Sequence, residues 1–443
     1  MFIFIAIIAF GILIAIHELG HFIAAKLLNV KVNEFAIGMG PKLISKQGKE
    51  TLYSLRALPL GGFCSMDEDV IIDDESEADP RAFSAKKRWQ RVIILLSGGF
   101  ANIIAAFIIV LIVASGAVGF VGTTITHIGD GFPDKGVDSL MVGDTLVSIN
   151  GERLYYANDI FMFTQPQLAR SGYVNLVVRR NGDLVILDRF LFMPSEVVIT
   201  GLIDGFKPNI GQPQQLMVGD TVLSINDIPI TNHYIFSTIL IESDDDYMNL
   251  VIKRDYEIIN LNNFPLRRHD YLLNGQIVHR YGIEFARTDF FNYLSFNQIE
   301  ATPFEILRFS AYSTFNYIRL IRVSLAMLFS GAAGIGDMGG PVAIVDAMNT
   351  IGQQAPDFTQ ALIRIASFTA FIGINVAIVN LLPIPALDGE RIVIIVITWV
   401  FEKITKRKPD PKYEAYINNG AFILLLGLMV FFLFNDILRI IDG

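Results

Sequence analysis

His17-Glu18-Leu19-Gly20-His21 sets two imidazoles four residues apart around a carboxylate. On a helix such positions share one face, so both rings can reach a single Zn2+ at about 2.0–2.1 Å. Glu18 lies next to the first of them, where it can act on water at the metal without being a ligand. The segment that carries the three residues, 2–28, is almost continuously apolar. At about 1.5 Å per residue it is long enough to cross a bilayer. An ionisable group at that depth costs on the order of 3 kcal/mol or more unless it faces protein or water, so a functional reading is the default. The chemistry implied is hydrolysis inside a membrane.

A catalytic zinc takes three protein ligands and leaves one position open. Cys64 is the only cysteine of the 443 residues, which excludes a cysteine-rich site and any intramolecular disulfide. The third ligand is therefore sought among carboxylates, and Asp388 stands out in Asn380-Leu-Leu-Pro-Ile-Pro-Ala-Leu-Asp388-Gly389. Pro383 and Pro385 forbid a continuous helix there. Broken helices are tolerated at membrane depth where they line a cavity. Two imidazoles and a carboxylate suit zinc, with Fe2+ or Co2+ fitting similar geometry.

The elements that must position these groups read as four membrane spans, at roughly 2–28, 92–118, 361–382 and 420–441. Lysine and arginine crowd the loop 29–91 and the segment after Asp388, from Arg391 to Lys412. By the positive-inside rule both loops are cytoplasmic, with both termini and the region from about 119 to 360 outside. His17, His21 and Asp388 then fall at the same depth, near the cytoplasmic face. The first segment lacks a basic leader and a clean cleavage site, so it is expected to remain in the mature chain. A hydrophobic content of 52% with 18% charged residues fits a few spans plus a water-soluble part, and a net charge of −9 gives no electrostatic reason to expect nucleic acid.

Within the outer region Leu140-Met-Val-Gly-Asp-Thr-Leu-Val-Ser-Ile-Asn150 recurs as Leu216-Met-Val-Gly-Asp-Thr-Val-Leu-Ser-Ile-Asn226. Each copy reads as a turn at Gly-Asp followed by a strand, which implies two tandem β-rich modules. Residues 303–330 are apolar but interrupted by Arg308, Arg319 and Arg322, as expected of a helix lying in the outer interface. The acidic run from Asp67 to Asp79 reads as a solvated loop. Thr51–Leu58 alternates as an edge strand would, after a turn at Lys46-Gln-Gly-Lys49.

The two distant motifs, His-Glu-x-x-His and Asn-x-x-Pro-x-Pro-x-Leu-Asp-Gly, together resemble the site-2 protease family of intramembrane zinc metalloproteases. The repeated Gly-Asp-x-(hydrophobic)-x-x-Ile-Asn string looks like the PDZ family, and this narrows the likeness to the bacterial regulator-of-sigma-E protease type. Gly38-Met-Gly-Pro41, Leu58-Pro-Leu-Gly-Gly-Phe63 and Gly339-Gly-Pro-Val342 extend it over nearly the whole chain. Glu390 and Met39 depart from it, where members commonly have a small residue and a phenylalanine.

The resemblance implies that His17, His21 and Asp388 hold Zn2+ and that Glu18 is the catalytic base. Asn380, with Pro383 and Pro385, would bind the substrate backbone. It also implies a membrane-associated β-hairpin in loop 29–91, to which an unwound substrate segment would pair by strand addition. The expected architecture is a polytopic α-helical membrane protein of the bacterial cytoplasmic (inner) membrane with two extracytoplasmic PDZ-like domains. Its parts are a first membrane half (1–118), PDZ-like modules at 119–196 and 197–287, an interfacial connector (288–360) and a second membrane half (361–443). The expected activity is regulated intramembrane proteolysis of single-span membrane proteins, such as a pre-cleaved anti-sigma factor or leftover signal peptides. The PDZ-like grooves read either as binders of peptide C-termini or as empty spacers, and the second copy favours the spacer. A different class also fits the sequence: a PDZ-bearing membrane scaffold with a structural or vestigial metal.

Overall fold

The computed structural model describes residues 2–66, 79–129, 139–160, 162–163, 173–191, 197–202, 216–230, 235–236, 239–240, 247–254, 257–265, 269–273, 276–280, 283–286, 294–329, 340–384, 387–407 and 427. The chain divides into two compact units: 1–117 with 301–443, and 118–300.

In the first unit, α1 (Phe2–Leu27), α2 (Arg88–Ser115) and α5 (Phe358–Asn380) are long and apolar enough to cross a membrane. The expected fourth span at 420–441 lies outside the described residues, apart from Gly427. Small residues let the helices approach closely, which is how packing is gained where lipid removes the hydrophobic drive. A β-carbon at Gly20 of α1 would collide with the Ser97 carbonyl and Ala101 of α2, and one at Gly99 would crowd the Ala377 carbonyl of α5.

Two further helices precede α5, α3 (Pro303–Phe329) and α4 (Pro341–Gln353). Ile321 of α3 packs with Ala106 and Val110 of α2 and with Ala370 and Ile374 of α5. Of the arginines that suggested an interfacial helix, Arg308 is exposed and pairs with Glu305, whereas Arg319 is buried and donates to Asn316. After α5 the chain turns at Leu381–Ile384 and enters α6 (Asp388–Thr405).

Between α1 and α2 lie two long strands, β1 (Val32–Gln47) and β2 (Leu52–Met66). Their register is folded back on itself. Glu34–Ile37 lie between Ser65–Gly62 on one side and Leu52–Leu55 on the other, and Leu52–Leu55 are flanked in turn by Gln47–Ile44. Gly38 and Gly61, at φ +84° and +91°, supply backbone conformations that a β-carbon resists. This corrects the edge-strand expectation for Thr51–Leu58. Leu52–Leu55 are paired on both sides, and the outer segments are Ile44–Gln47 and Gly62–Met66. The acidic run 67–78 lies outside the described residues.

Among the described residues the second unit holds a two-stranded hairpin, β13 (His269–Leu273) with β14 (Gln276–Arg280), and two larger sheets with one plan. The first runs β16 (Leu294–Glu300), β3 (Gly119–Ile128), β4 (Thr145–Ile149), β6 (Tyr173–Arg180), β7 (Asp183–Leu191), with β5 (Glu152–Arg153) beside β4. The second runs β12 (Glu257–Pro265), β11 (Tyr247–Arg254), β9 (Thr221–Ile225), β8 (Val197–Leu202), β15 (Ile283–Ala286), with β10 (Ile228–Pro229) beside β9. β4 and β9 are the strands of the repeated string, and each is followed directly by an asparagine at positive φ, Asn150 and Asn226. β16 follows the second sheet in sequence yet pairs with β3, Leu294 opposite Ile128 and Glu300 opposite Gly119. The second module is thus inserted before the last strand of the first, where the sequence reading placed a connector.

Candidate metal centre

α1 turns Ala6, Leu13, His17, Gly20, His21, Ala24 and Ala25 inward, so the two histidines lie on the packed face of an otherwise lipid-compatible helix. Ile94 of α2 fixes one of them: His21 Nδ1 lies 2.8 Å from its carbonyl oxygen. A carbonyl can only accept, so Nδ1 carries the proton, and in the neutral ring Nε2 presents a lone pair. Nε2 of His21 and Nε2 of His17 are 3.1 Å apart.

The start of α6 brings the third donor. Asp388 Oδ2 is 3.1 Å from His17 Nε2 and 3.2 Å from His21 Nε2. Gly389 makes this approach possible, since a β-carbon there would collide with the carbonyls of Leu381 and Leu382. Three potential ligand atoms thus converge to within 3.2 Å of one another in a largely buried cluster. A tetrahedral zinc with ligands at about 2.0–2.1 Å needs its donor atoms about 3.3 Å apart, close to the spacing found. The residues therefore fit the ion, and His17, His21 and Asp388 are the group able to hold one among the described residues.

Glu18 borders the same cavity of about 260 Å3, with Ile14, Cys64, Val376 and Asn380 among its lining residues. Its Oε2 accepts a 3.0 Å hydrogen bond from the backbone N–H of Cys64, so the outer β2 segment fixes the carboxylate beside the donor cluster. Cys64 contributes that N–H and not a thiolate: burial and the nearby Glu18 charge push its thiol up to about 12. Asn380, the last residue of α5, places its side-chain amide nitrogen 3.2 Å from His17 Nε2. Pro383 is exposed in the turn after α5, outside the cavity lining, and Pro385 lies outside the described residues.

Sequence reasoning missed the rear wall. A β-carbon at Gly98 of α2 would overlap His21 Nε2 and His17 Cε1, so only glycine leaves room for the two rings. The signal was present, as a Gly98-Gly99 pair in the middle of a span where each glycine weakens a helix. Also missed were the Cys64 amide and Arg391, which lines the cavity one turn into α6. Asn102 of α2 is fully buried with neither amide atom hydrogen-bonded among the described residues.

The sequence matches the family model described as peptidase family M50 over residues 5–428. A Clostridium acetobutylicum protein whose name places it among zinc metalloproteases is 29% identical over 434 residues, 98% of this chain and 96% of its own. The regulator of sigma-W protease RasP of Bacillus subtilis is 27% identical, covering 98% and 97%. The zinc metalloprotease RasP of Bacillus licheniformis is 26% identical, covering 98% of both. The family match opens before His17 and closes beyond Asp388, so it takes in both halves of the donor cluster, and on that coverage the chain belongs to peptidase family M50, the site-2 protease family of zinc metalloproteases.

Proposed function

We propose that the chain is an intramembrane endopeptidase carrying out regulated intramembrane proteolysis of single-span membrane proteins, with His17, His21 and Asp388 as zinc ligands and Glu18 as base. The observation that carries this reading is the convergence of His17, His21 and Asp388, from two membrane-associated helices 371 residues apart, to 3.1–3.2 Å. The relative named a regulator of sigma-W protease supports a substrate tied to sigma-factor control, such as a pre-cleaved anti-sigma factor.

Zinc in this site supplies Lewis acidity toward the scissile carbonyl and makes nearby water acidic near neutral pH. Glu18 takes the proton of the attacking water and later returns it to the leaving amine, which generates a neutral amine product. Its hydrogen bond to the Cys64 amide keeps the carboxylate aimed while the proton is in transit. Asn380, bordering the donors, offers an amide to the substrate backbone.

A lipid-embedded substrate helix has its own backbone groups paired, and each one freed without a partner costs several kcal/mol. The outer Gly62–Met66 segment, whose residues Cys64 and Met66 line the cavity, can pair with an unwound substrate by strand addition. The positive-inside rule puts this side in the cytoplasm and the two β-rich modules outside. There we read the modules as PDZ-like domains that capture peptide ends or turn away substrates with a bulky outer domain.

The test is Glu18→Gln on purified full-length protein. Zinc content should stay at the wild-type level while cleavage of a model single-span protein falls by about 10²–10⁴-fold, the usual worth of a general base. Undiminished cleavage would sink the proposal.

A further inference from the structure

Away from the metal centre, the first turn of α2 and the helix α6 enclose a groove of about 790 Å3. That lies within the ordinary range of ligand sites, about 300–1,000 Å3. Its lining carries Lys86, Lys87, Arg88 and Arg91 and, among the described residues that line it, one carboxylate, Glu402, which Arg88 already engages. In a chain of net charge −9 this is a local reversal of sign. Val92, Ile395 and Val396 add aliphatic side chains, one turn further along α2 than Arg88 and about two turns before Glu402 on α6. Trp89 and Trp399 also line the groove, 55% and 46% exposed, and they are the only tryptophans in the chain.

Each of these side-chain types suits one depth of a membrane surface. Indoles settle at the headgroup level, cations favour the anionic cytoplasmic leaflet, and aliphatic side chains meet acyl chains. We propose that this groove binds an anionic phospholipid, with its phosphate at Lys86, Lys87 and Arg91 and the start of an acyl chain along Val92 and Ile395. A soluble anion would use the cations and leave the aliphatic part of the lining wet. A zwitterionic lipid would bring an ammonium toward a cluster that already has excess positive charge. Arg91 stacks over the buried Phe83 ring, its guanidinium carbon 5.1 Å from the centroid.

The site also has a route to the metal centre. Ile395 packs with Ala24 and Ala25 of α1 and with Ile94 and Leu95 of α2. The same helix begins at Asp388. A lipid seated in the groove braces α6 against α2, and so steadies Asp388 relative to the two histidines.

Because all indole emission originates at this groove, the full-length protein carries its own probe. In phosphatidylcholine nanodiscs doped with brominated lipid at equal fraction, brominated phosphatidylglycerol should quench more strongly than brominated phosphatidylcholine, by roughly fivefold in apparent affinity. The combined variant Lys86→Gln, Lys87→Gln and Arg91→Gln should erase that preference while zinc content and far-ultraviolet circular dichroism stay unchanged. Equal quenching by the two lipids, or a preference that survives the variant with its fold intact, overturns the proposal. Displacement of the brominated anionic lipid by free glycerol phosphate overturns it too, since the site would then take soluble anions. So does a preference that appears only after the acids of 67–79 are neutralised, since that segment would then be the occupant.

Discussion

Asp144 and Asp220 in the β-rich unit and Asp388 in the helical unit are all carboxylates withdrawn from water, yet they are satisfied by different means. Asp144 is 1% exposed and receives Nε and Nη2 of Arg180 at 2.8 and 2.7 Å, with the Met141 N–H at 2.8 Å. Asp220 repeats the arrangement with Arg254 and the Met217 N–H. Both acids are closed by a planar, bidentate cation of the same chain, so nothing from solution is needed. Asp388 faces two imidazole nitrogens instead, and the neutral His21 ring presents a lone pair there. The repeated Gly-Asp is the louder signal in the sequence and it is structural. The single Asp388 is quieter, and its partners are two imidazoles that together with it could hold an ion.

Removing Asp388 should have the largest effect. Asp388→Ala leaves two imidazoles, and since losing even an outer partner of a ligand costs about 10–100-fold in metal affinity, the loss here should exceed ~100-fold. Elemental analysis after dialysis should show zinc gone, proteolysis abolished and the β-rich unit melting as before. Full zinc retention would mean that the two distant motifs do not share one ion.

Next in size is the closed pair. Asp144→Ala takes the carboxylate from Arg180, whose side chain is 14% exposed and keeps its hydrogen bond to the Ser139 carbonyl, and breaking such a pair from one side costs up to about 3–5 kcal/mol. Asp220→Ala should cost less, because Arg254 is 24% exposed and water can reach it. Hydrogen exchange across β4 and β9 in the full chain would rank the two. Zinc content should not move in either, and a variant that lost zinc would blur the distinction between the two classes of acid.

What could be read in advance follows the same division between local and distant causes. Lipid compels a helix, so an apolar run with His17, Glu18 and His21 on it could be read directly, and paired prolines marked where the chain breaks before Asp388. The repeat was legible because Gly143 and Gly219 sit at positive φ and recur as glycine. Strand order was not. Alternation in Thr51–Leu58 reports which face is buried, not which neighbours flank the strand, and Leu52–Leu55 turned out to be interior. The return of β16 to β3 rests on residues 166 or more positions apart, as with Leu294 and Ile128, and no local pattern encodes it. Gly98 was visible as a glycine, but its collision with His21 depends on how α1 and α2 register against each other.

Glu50 supplies a third case, a carboxylate closed by partners and water together, and the smallest effect. Lys26, in the last turn of α1, donates to its Oε2 at 3.0 Å, and Arg81 engages the other oxygen, so the turn of the β1–β2 hairpin is tied to both flanks. These contacts, the Lys26 hydrogen bond first, hold the Glu50 carboxyl below the usual carboxylate range. The ionised form is therefore the one the fold favours. Its contribution is complete above an ordinary glutamate pKa of about 4.3 and fades as pH falls through the lowered folded value. With the Glu50 side chain 29% exposed and that of Lys26 30%, solvent screens the pair, and Glu50→Gln should cost under ~1 kcal/mol at neutral pH. The same change should flatten the acid limb of the stability curve, read from hairpin amide exchange between neutral and acidic buffers. A loss as large as that of Asp144→Ala would place Glu50 among the fully closed acids, and the ordering by access to water would then fail as an account of which carboxylates this chain can spare.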